Sequence, residues 1–544
     1  MKKRLFWAML PFMALSFVSC EDEEPDVGFD QSSQAQEFQT GEIRLGEKIN
    51  SPVTLRNMQR AADSLVQRNG MVLRSAMQLE ATHLYVRFLP KDSAEYELLV
   101  SDTLLDPTPY PWDYELTEGD SYHDPSLPHD AYQWQYTVIP AEHDLEQYNV
   151  RYEVLEELYM PDGMFDEESN TSTRSASEEK TYLKALLNES VRQNAPDQMD
   201  PTETLRKWTP AATIKAYDDL YNKYVPLQGV KVRIRYFAFL KAYHYTDANG
   251  NVKFSSKRKD VDYSIEWERD MWDIRDNNIQ AYYNGPNDSK TTWNLNISDG
   301  TPKSLRIASI HRALYRYFYN NTSRVVIPEK KVTISYKDRE DRGNAVGEAC
   351  GIIFAYGDKL IVAPSIGMDL SKVVSSVYIY GKNGNIYRNP SKVLSTTLHE
   401  LSHIAHCSSV GFLKFAQTED HIKEAYTTAV QCDMTIKEYY DLYLKGHPAL
   451  SDLLKFITSQ KWPLHNRNNK YSPLFIDMID DYDQNIGGAY LVDKVKGVSL
   501  IEISYNLGRF MTINDFKQYV MSRSGFLKEK QLYFDLYEKK YVKQ

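Results

Sequence analysis

Cysteine is scarce. The 544 residues hold four, Cys20, Cys350, Cys407 and Cys432, which excludes a scaffold built on many disulfides. Positive charge is also in short supply: 64 Lys and Arg face 75 Asp and Glu, a net charge of −11. No long Lys/Arg run occurs, so no nucleic-acid partner is expected, since phosphate binding is driven by a basic surplus. The one long apolar stretch, Leu5 to Val18, is shorter than the roughly 20 residues a membrane helix needs. With 42% hydrophobic and 26% charged residues, the chain is neither wholly disordered nor a single small domain. About two to four folded units are expected at roughly 150 residues each.

What is present begins with a leader. Lys2, Lys3 and Arg4 precede the Leu5 to Val18 stretch, as in a cleaved signal. Its end, Leu15-Ser16-Phe17-Val18-Ser19-Cys20, resembles a bacterial lipobox, which implies lipid attachment to Cys20. The acidic cluster Glu21-Asp22-Glu23-Glu24 resembles the surface-export signal of Bacteroidota lipoproteins. The resemblance implies an outer-membrane, lipid-anchored protein exposed at the cell surface. Removing residues 1–19 takes three of the 64 basic residues and no acidic ones, leaving 61 against 75, or −14. The lipid rather than electrostatics then supplies the membrane contact.

Residues 20–75 read as a polar tether with one amphipathic stretch, Leu55 to Leu65. Residues 76–165 read as a β-rich module. His83 to Leu89 alternates with period two and ends at Pro90, and the β-rich region runs on through Tyr132 to Ile139. Much of the tyrosine, 40 residues in all, falls here. Sheet packing accounts for it, and a glycan-stacking surface on the β modules is the alternative. Residues 166–225 read as a linker with short helices, one over Thr181 to Arg192. Over 226–300, an alternating run from Val230 to Phe239 leads to Thr246-Asp247-Ala248-Asn249-Gly250, a hairpin signal. That pairing resembles a carboxypeptidase-regulatory or transthyretin-like β-sandwich. Such modules are usually spacers or adhesive units.

In 301–544 a helical period opens at Ser304 to Tyr315. Strand-like runs follow at Lys331 to Tyr336, Gly351 to Val362 and Val374 to Tyr380, and then mostly helices. Strands and helices in segregated order suggest an α+β domain. Within it stands His399-Glu400-Leu401-Ser402-His403, an HExxH sequence. With 12 His in the chain, chance supplies roughly 0.02 such patterns, so the match is informative. Asn389-Pro390 offers an N-cap and a first-turn proline. At about 100° per residue, His399 and His403 lie about 40° apart on one face, while Leu394, Leu398, Leu401 and Ala405 collect on the other. Two imidazoles one turn apart can converge on one zinc ion, with a third ligand from elsewhere and a fourth position open. Glu400 sits about 80° from their midpoint, where it addresses water rather than metal.

A second helix reads from Thr418, able to cap it, to Tyr440. It carries Glu424, with twenty residues between His403 and Glu424. Here the sequence resembles the gluzincins, the thermolysin-like clan of zinc metallopeptidases, whose third ligand is a glutamate on the next major helix at about this separation. The resemblance implies a zincin-type domain, one zinc per chain held by His399, His403 and Glu424, Glu400 as general base, and a protein or peptide substrate. One departure is Thr428, where thermolysin has an aspartate four residues after the ligand glutamate; a hydroxyl or another residue must then orient the ligating histidine. His421 is a rival third ligand on the face of Glu424. His406 also shares the face of His399 and His403, but seven residues span about 10.5 Å, too far for three ligands from one straight helix. The metzincin pattern needs Gly at 406 and His at 409, and the chain has His406 and Ser409. Tyr482, Tyr490 and His465 are candidates for an oxyanion donor, with nothing to select among them. Cys407 and Cys432 either approach across the two helices or stay as separate thiols.

The expectation is thus a multi-domain protein: N-terminal all-β modules followed by an α+β zincin-type metallopeptidase domain. An adhesin or glycan-binding lipoprotein with a non-catalytic protease-like domain is the alternative. Glu400 speaks for catalysis, since a purely structural zinc site has no use for a general base.

Overall fold

The computed structural model describes residues 41–69, 78–128, 131–162, 164–165, 174–195, 208–257, 260–287, 289–340, 377–446, 472–479, 495, 497–523, 525 and 527–542. Cys20 and the whole leader, the expected strand Gly351 to Val362, and Tyr482, Tyr490 and His465 lie outside them. Among the described residues, no helix is long and apolar enough to cross a membrane. The architecture is mixed, with strands in several sheets and many helices.

The N-terminal region centres on strand His83–Leu89, flanked by antiparallel Gln135–Pro140 and Arg151–Leu158. Its tyrosines are mostly core. Tyr85, Tyr96 and Tyr110 are fully buried, as is Trp112. Tyr85 keeps its hydroxyl satisfied by donating to Asp113 (3.1 Å) and accepting from the Trp112 backbone N–H (2.8 Å). Three expectations change here. The module is not all-β, because helix Ser93–Ser101 lies between its strands, capped where Asp92 accepts from the Glu95 N–H (3.0 Å). Residues 41–69 of the tether are folded, since helix Leu55–Asn69 buries Val53, Met58 and Ala61 in the N-terminal core. The linker contains a helix of 21 residues, Arg174–Asn194, packed on that helix, and strand Ala211–Asp218. In both segments a polar composition hides a narrow apolar stripe.

Residues 208–297 supply two four-stranded sheets packed on one core, besides strands at 268–280 that join another sheet. One runs Asn251–Lys253, Ala211–Asp218, Trp293–Ile297, with Lys223–Pro226 beside Ala211–Asp218. The other runs Tyr282–Asn284, Asp262–Glu266, Lys231–Tyr236, Leu240–Tyr245. Asn249-Gly250 makes a turn with Gly250 at φ 76°, yet it joins strands of different sheets rather than a hairpin. The hairpin turn is instead Phe237-Ala238, at φ 52° and 65°. These are unusual values for non-glycine residues, and the turn is held by burial of Phe237 and Phe239 in the N-terminal core. Ser51 also donates to the Phe237 carbonyl (2.9 Å).

The principal sheet crosses residue 300. Strand Trp272–Asp276 runs parallel to Val332–Glu340, which runs parallel to Val377–Asn383. One hydrophobic core extends from Ala212 to Tyr541, so packing does not separate 226–300 from 301–544. Helix Pro302–Phe318 lies in the crossover between the first two parallel strands, as parallel pairing requires. Strand and helix therefore alternate here, where segregated order was expected. The helix with the HExxH sequence, Pro390–Val410, packs against strand Val377–Asn383 of this sheet, and a longer one, Asp420–Gly446, packs against that helix.

Candidate metal centre

The Pro390–Val410 helix is pinned at its start from a distance. Asn389 precedes Pro390 but makes no side-chain cap. Asp219, at the end of strand Ala211–Asp218, instead accepts from the Ser391 N–H (2.8 Å) and its hydroxyl (2.6 Å), a carboxylate placed against the positive helix end. Leu394, Leu398, Leu401 and Ala405 are fully buried, as their shared face predicts. Helix Pro302–Phe318 packs across it.

The neighbouring Asp218 fixes the other helix. It accepts from Arg312 Nη1 (2.6 Å) and from the Tyr439 hydroxyl (2.8 Å). Arg312 also reaches Glu438 (3.2 Å), and Arg316 reaches Asp441 (2.6 Å). Thr418 does not cap the Asp420–Gly446 helix. Its hydroxyl donates back to the Lys414 carbonyl (2.8 Å), because it ends the short preceding helix Phe412–Gln417.

So held, the two helices bring His399, His403 and Glu424 together, with one ligand atom of each within 4.8 Å of the others. Glu424 Oε2 is 3.3 Å from His399 Nε2 and 3.4 Å from His403 Nε2. All three are largely buried, and so is Glu400, at 4% exposure. Burial opposes ionisation of Glu424, but His403 and His399 outweigh it and hold the carboxyl well below the usual carboxylate range. Burial lowers His403 despite the opposing pull of Glu424. The direction for His403 favours the neutral imidazole that a metal requires.

The donor set fits a divalent ion such as zinc. His399 Nδ1 faces Gln431 Oε1 at 3.1 Å, an arrangement that places the proton on Nδ1 and leaves Nε2 for a metal. Thr427 donates to the Glu424 carbonyl (3.0 Å) and lies 3.2 Å from His399 Nε2. Sequence reasoning did not find Gln431. It stands seven residues after Glu424, two turns along the same face, so helical period could have picked it out.

The other expected participants fall elsewhere. His421 is not part of the cluster. His406 is fully buried against Phe415 and Tyr426, and neither ring nitrogen has a hydrogen-bond partner among the described residues. Burial lowers its pKa to about 3. Cys407 and Cys432 are buried and are not joined in a disulfide.

A second trio, Asp106, Glu266 and Glu268, also gathers ligand atoms within 4.8 Å. It already holds a cation: Lys231 Nζ lies 2.6 Å from Glu266, 2.5 Å from Glu268 and 3.6 Å from Asp106.

No protein-family model matches the chain, and no curated protein matches it. Among solved structures, a 9R-lipoxygenase from Cyanothece aligns with 24% of this chain and 26% of its own at 13% identity. Its TM-score is 0.10, too low to bear on fold or function.

Proposed function

We propose that the protein is a surface-anchored zinc metallopeptidase of gluzincin type, tethered by a lipid on Cys20. The convergence of His399, His403 and Glu424 within 4.8 Å, on helices whose sequence carries HExxH, supports this reading above all. In it these three residues hold one zinc per chain, and the fold around them is of zincin type. Zinc bound there supplies Lewis acidity that makes water a nucleophile near neutral pH. Glu400 takes the proton of the attacking water and delivers it to the leaving amine nitrogen. Burial of Glu400 and Glu424 keeps bulk water away from the reacting groups and strengthens their electrostatic effects. The sandwich of residues 208–297, read as a carboxypeptidase-regulatory-like module, acts in this account as scaffold as well as spacer. Its Asp218 and Asp219 hold both site helices.

A mixed peptide library tests the proposal. Wild type cleaves it, and Glu400→Gln loses on the order of 10²- to 10⁴-fold in rate while binding zinc equally. Equal cleavage by both proteins contradicts the mechanism.

A further inference from the structure

We infer that Gln431 is the positioning residue for His399, doing with a neutral amide what the threonine at the expected position does not do. The inference rests on the zinc reading of the triad. Thr428, four residues after Glu424, is 2% exposed, and its hydroxyl has no hydrogen-bond partner among the described residues. It therefore does not orient a ligand. Gln431, three residues further along, presents Oε1 to His399 Nδ1 at 3.1 Å. The amide oxygen can only accept, so it stabilises the Nδ1–H tautomer and fixes the ring plane. With the ring so fixed, Nε2 faces Glu424 Oε2 at 3.3 Å, and the two donors share one point of convergence with His403.

The choice of an amide has a consequence. A carboxylate at this position adds a negative charge and makes the imidazole a stronger donor, whereas the amide orients it without adding charge. The acceptor facing His399 Nδ1 is then an amide oxygen, and Glu424 supplies the carboxylate among the ligands. The site holds zinc less tightly than the same site with Glu at 431.

Zinc dissociation constants from competition with a chromophoric chelator, measured beside apo-protein thermal stability, test this on the full chain. Gln431→Met, close in volume but without the acceptor, weakens zinc binding about 10- to 100-fold and leaves apo stability near that of wild type. Gln431→Glu keeps an acceptor and binds zinc more tightly than wild type. Wild-type affinity in Gln431→Met overturns the inference alone. A Gln431→Glu variant as weak as Gln431→Met overturns it too, since the contact then serves packing rather than the ligand. A wild-type chain that binds no zinc overturns both this inference and the function on which it rests.

Discussion

Two clusters in this molecule look alike as inventories and differ as chemistry. Asp106, Glu266 and Glu268 meet where the N-terminal region abuts the sheets of residues 208–297; His399, His403 and Glu424 meet between two helices. In the first, an ammonium of the chain fills the centre. Burial disfavours the charge on Lys231, but Glu266, Asp106 and Glu268 outweigh burial and hold its pKa above the usual lysine value. Around it, Lys241 pairs with Asp106, and Arg233 with Glu266 (2.5 Å). In the second cluster the facing atoms are two imidazole nitrogens and a carboxylate oxygen, a donor set with no ammonium or guanidinium among its members. Proximity of carboxylates alone thus does not indicate a metal site. What marks the first as structural is the ammonium of Lys231 at its centre.

The comparison breaks most severely at the ligands themselves. His403→Ala or Glu424→Ala is expected to abolish peptide cleavage, a loss of at least about 10³-fold, because the nucleophile is no longer generated. Asp106→Asn leaves cleavage intact. Peptide-library assays on purified variants check both halves.

Next in size is the structural cluster. Lys231→Met leaves buried carboxylates without their cation and is expected to destabilise the fold by about 3–5 kcal/mol, read as a lower denaturation midpoint. Zinc affinity of the folded protein stays unchanged, whereas a fall in affinity at full stability contradicts the assignment.

Buried histidines give a pH signature. His406 is lowered from 6.5 to about 3 and His311 to about 4, both chiefly by burial. Below pH 6.5 the unfolded chain binds protons that the folded chain refuses. Apo stability is therefore full above about pH 6.5 and falls as the pH drops towards 4 and 3, by up to about 1.4 kcal/mol per pH unit for each histidine. His406→Leu is expected to flatten that slope by one histidine's share. It also raises midpoint stability near neutral pH by about 1–2 kcal/mol, since two unpartnered ring nitrogens disappear. Denaturation series from pH 7 to 4 decide it.

The smallest effect concerns the remote cap. Asp219→Ala removes the acceptor of Ser391 and costs about 1 kcal/mol, seen as a slight loss of stability with the metal ligands still in place.

The candidate metal centre was more legible in the sequence than the frame that holds it. Helical period alone puts His399 and His403 on one face and Leu394, Leu398, Leu401 and Ala405 on the other, and the structure places them so. Strand His83–Leu89 was readable because alternation and a following proline are local signals. Asp218 and Asp219 were not, since Ser391 is 172 residues and Tyr439 221 residues away, and no short pattern records such contacts. The hairpin was misplaced because Phe237-Ala238 carries no turn residue and is held by tertiary burial and by the Ser51 hydrogen bond to the Phe237 carbonyl. Helix Ser93–Ser101 did announce itself through Asp92 and Glu95, but the surrounding alternation masked it. Gln431 stayed hidden because a carboxylate or hydroxyl was sought at the fourth position, and the neutral amide stands at the seventh.

The central claim, that the histidine–glutamate trio is the metal site and the acidic trio is not, reduces to a count. Metal analysis of purified wild type after dialysis against trace zinc is predicted to give about one zinc per chain, retained in Asp106→Asn and lost in His403→Ala. Wild type without zinc, or His403→Ala with as much zinc as wild type, contradicts the account.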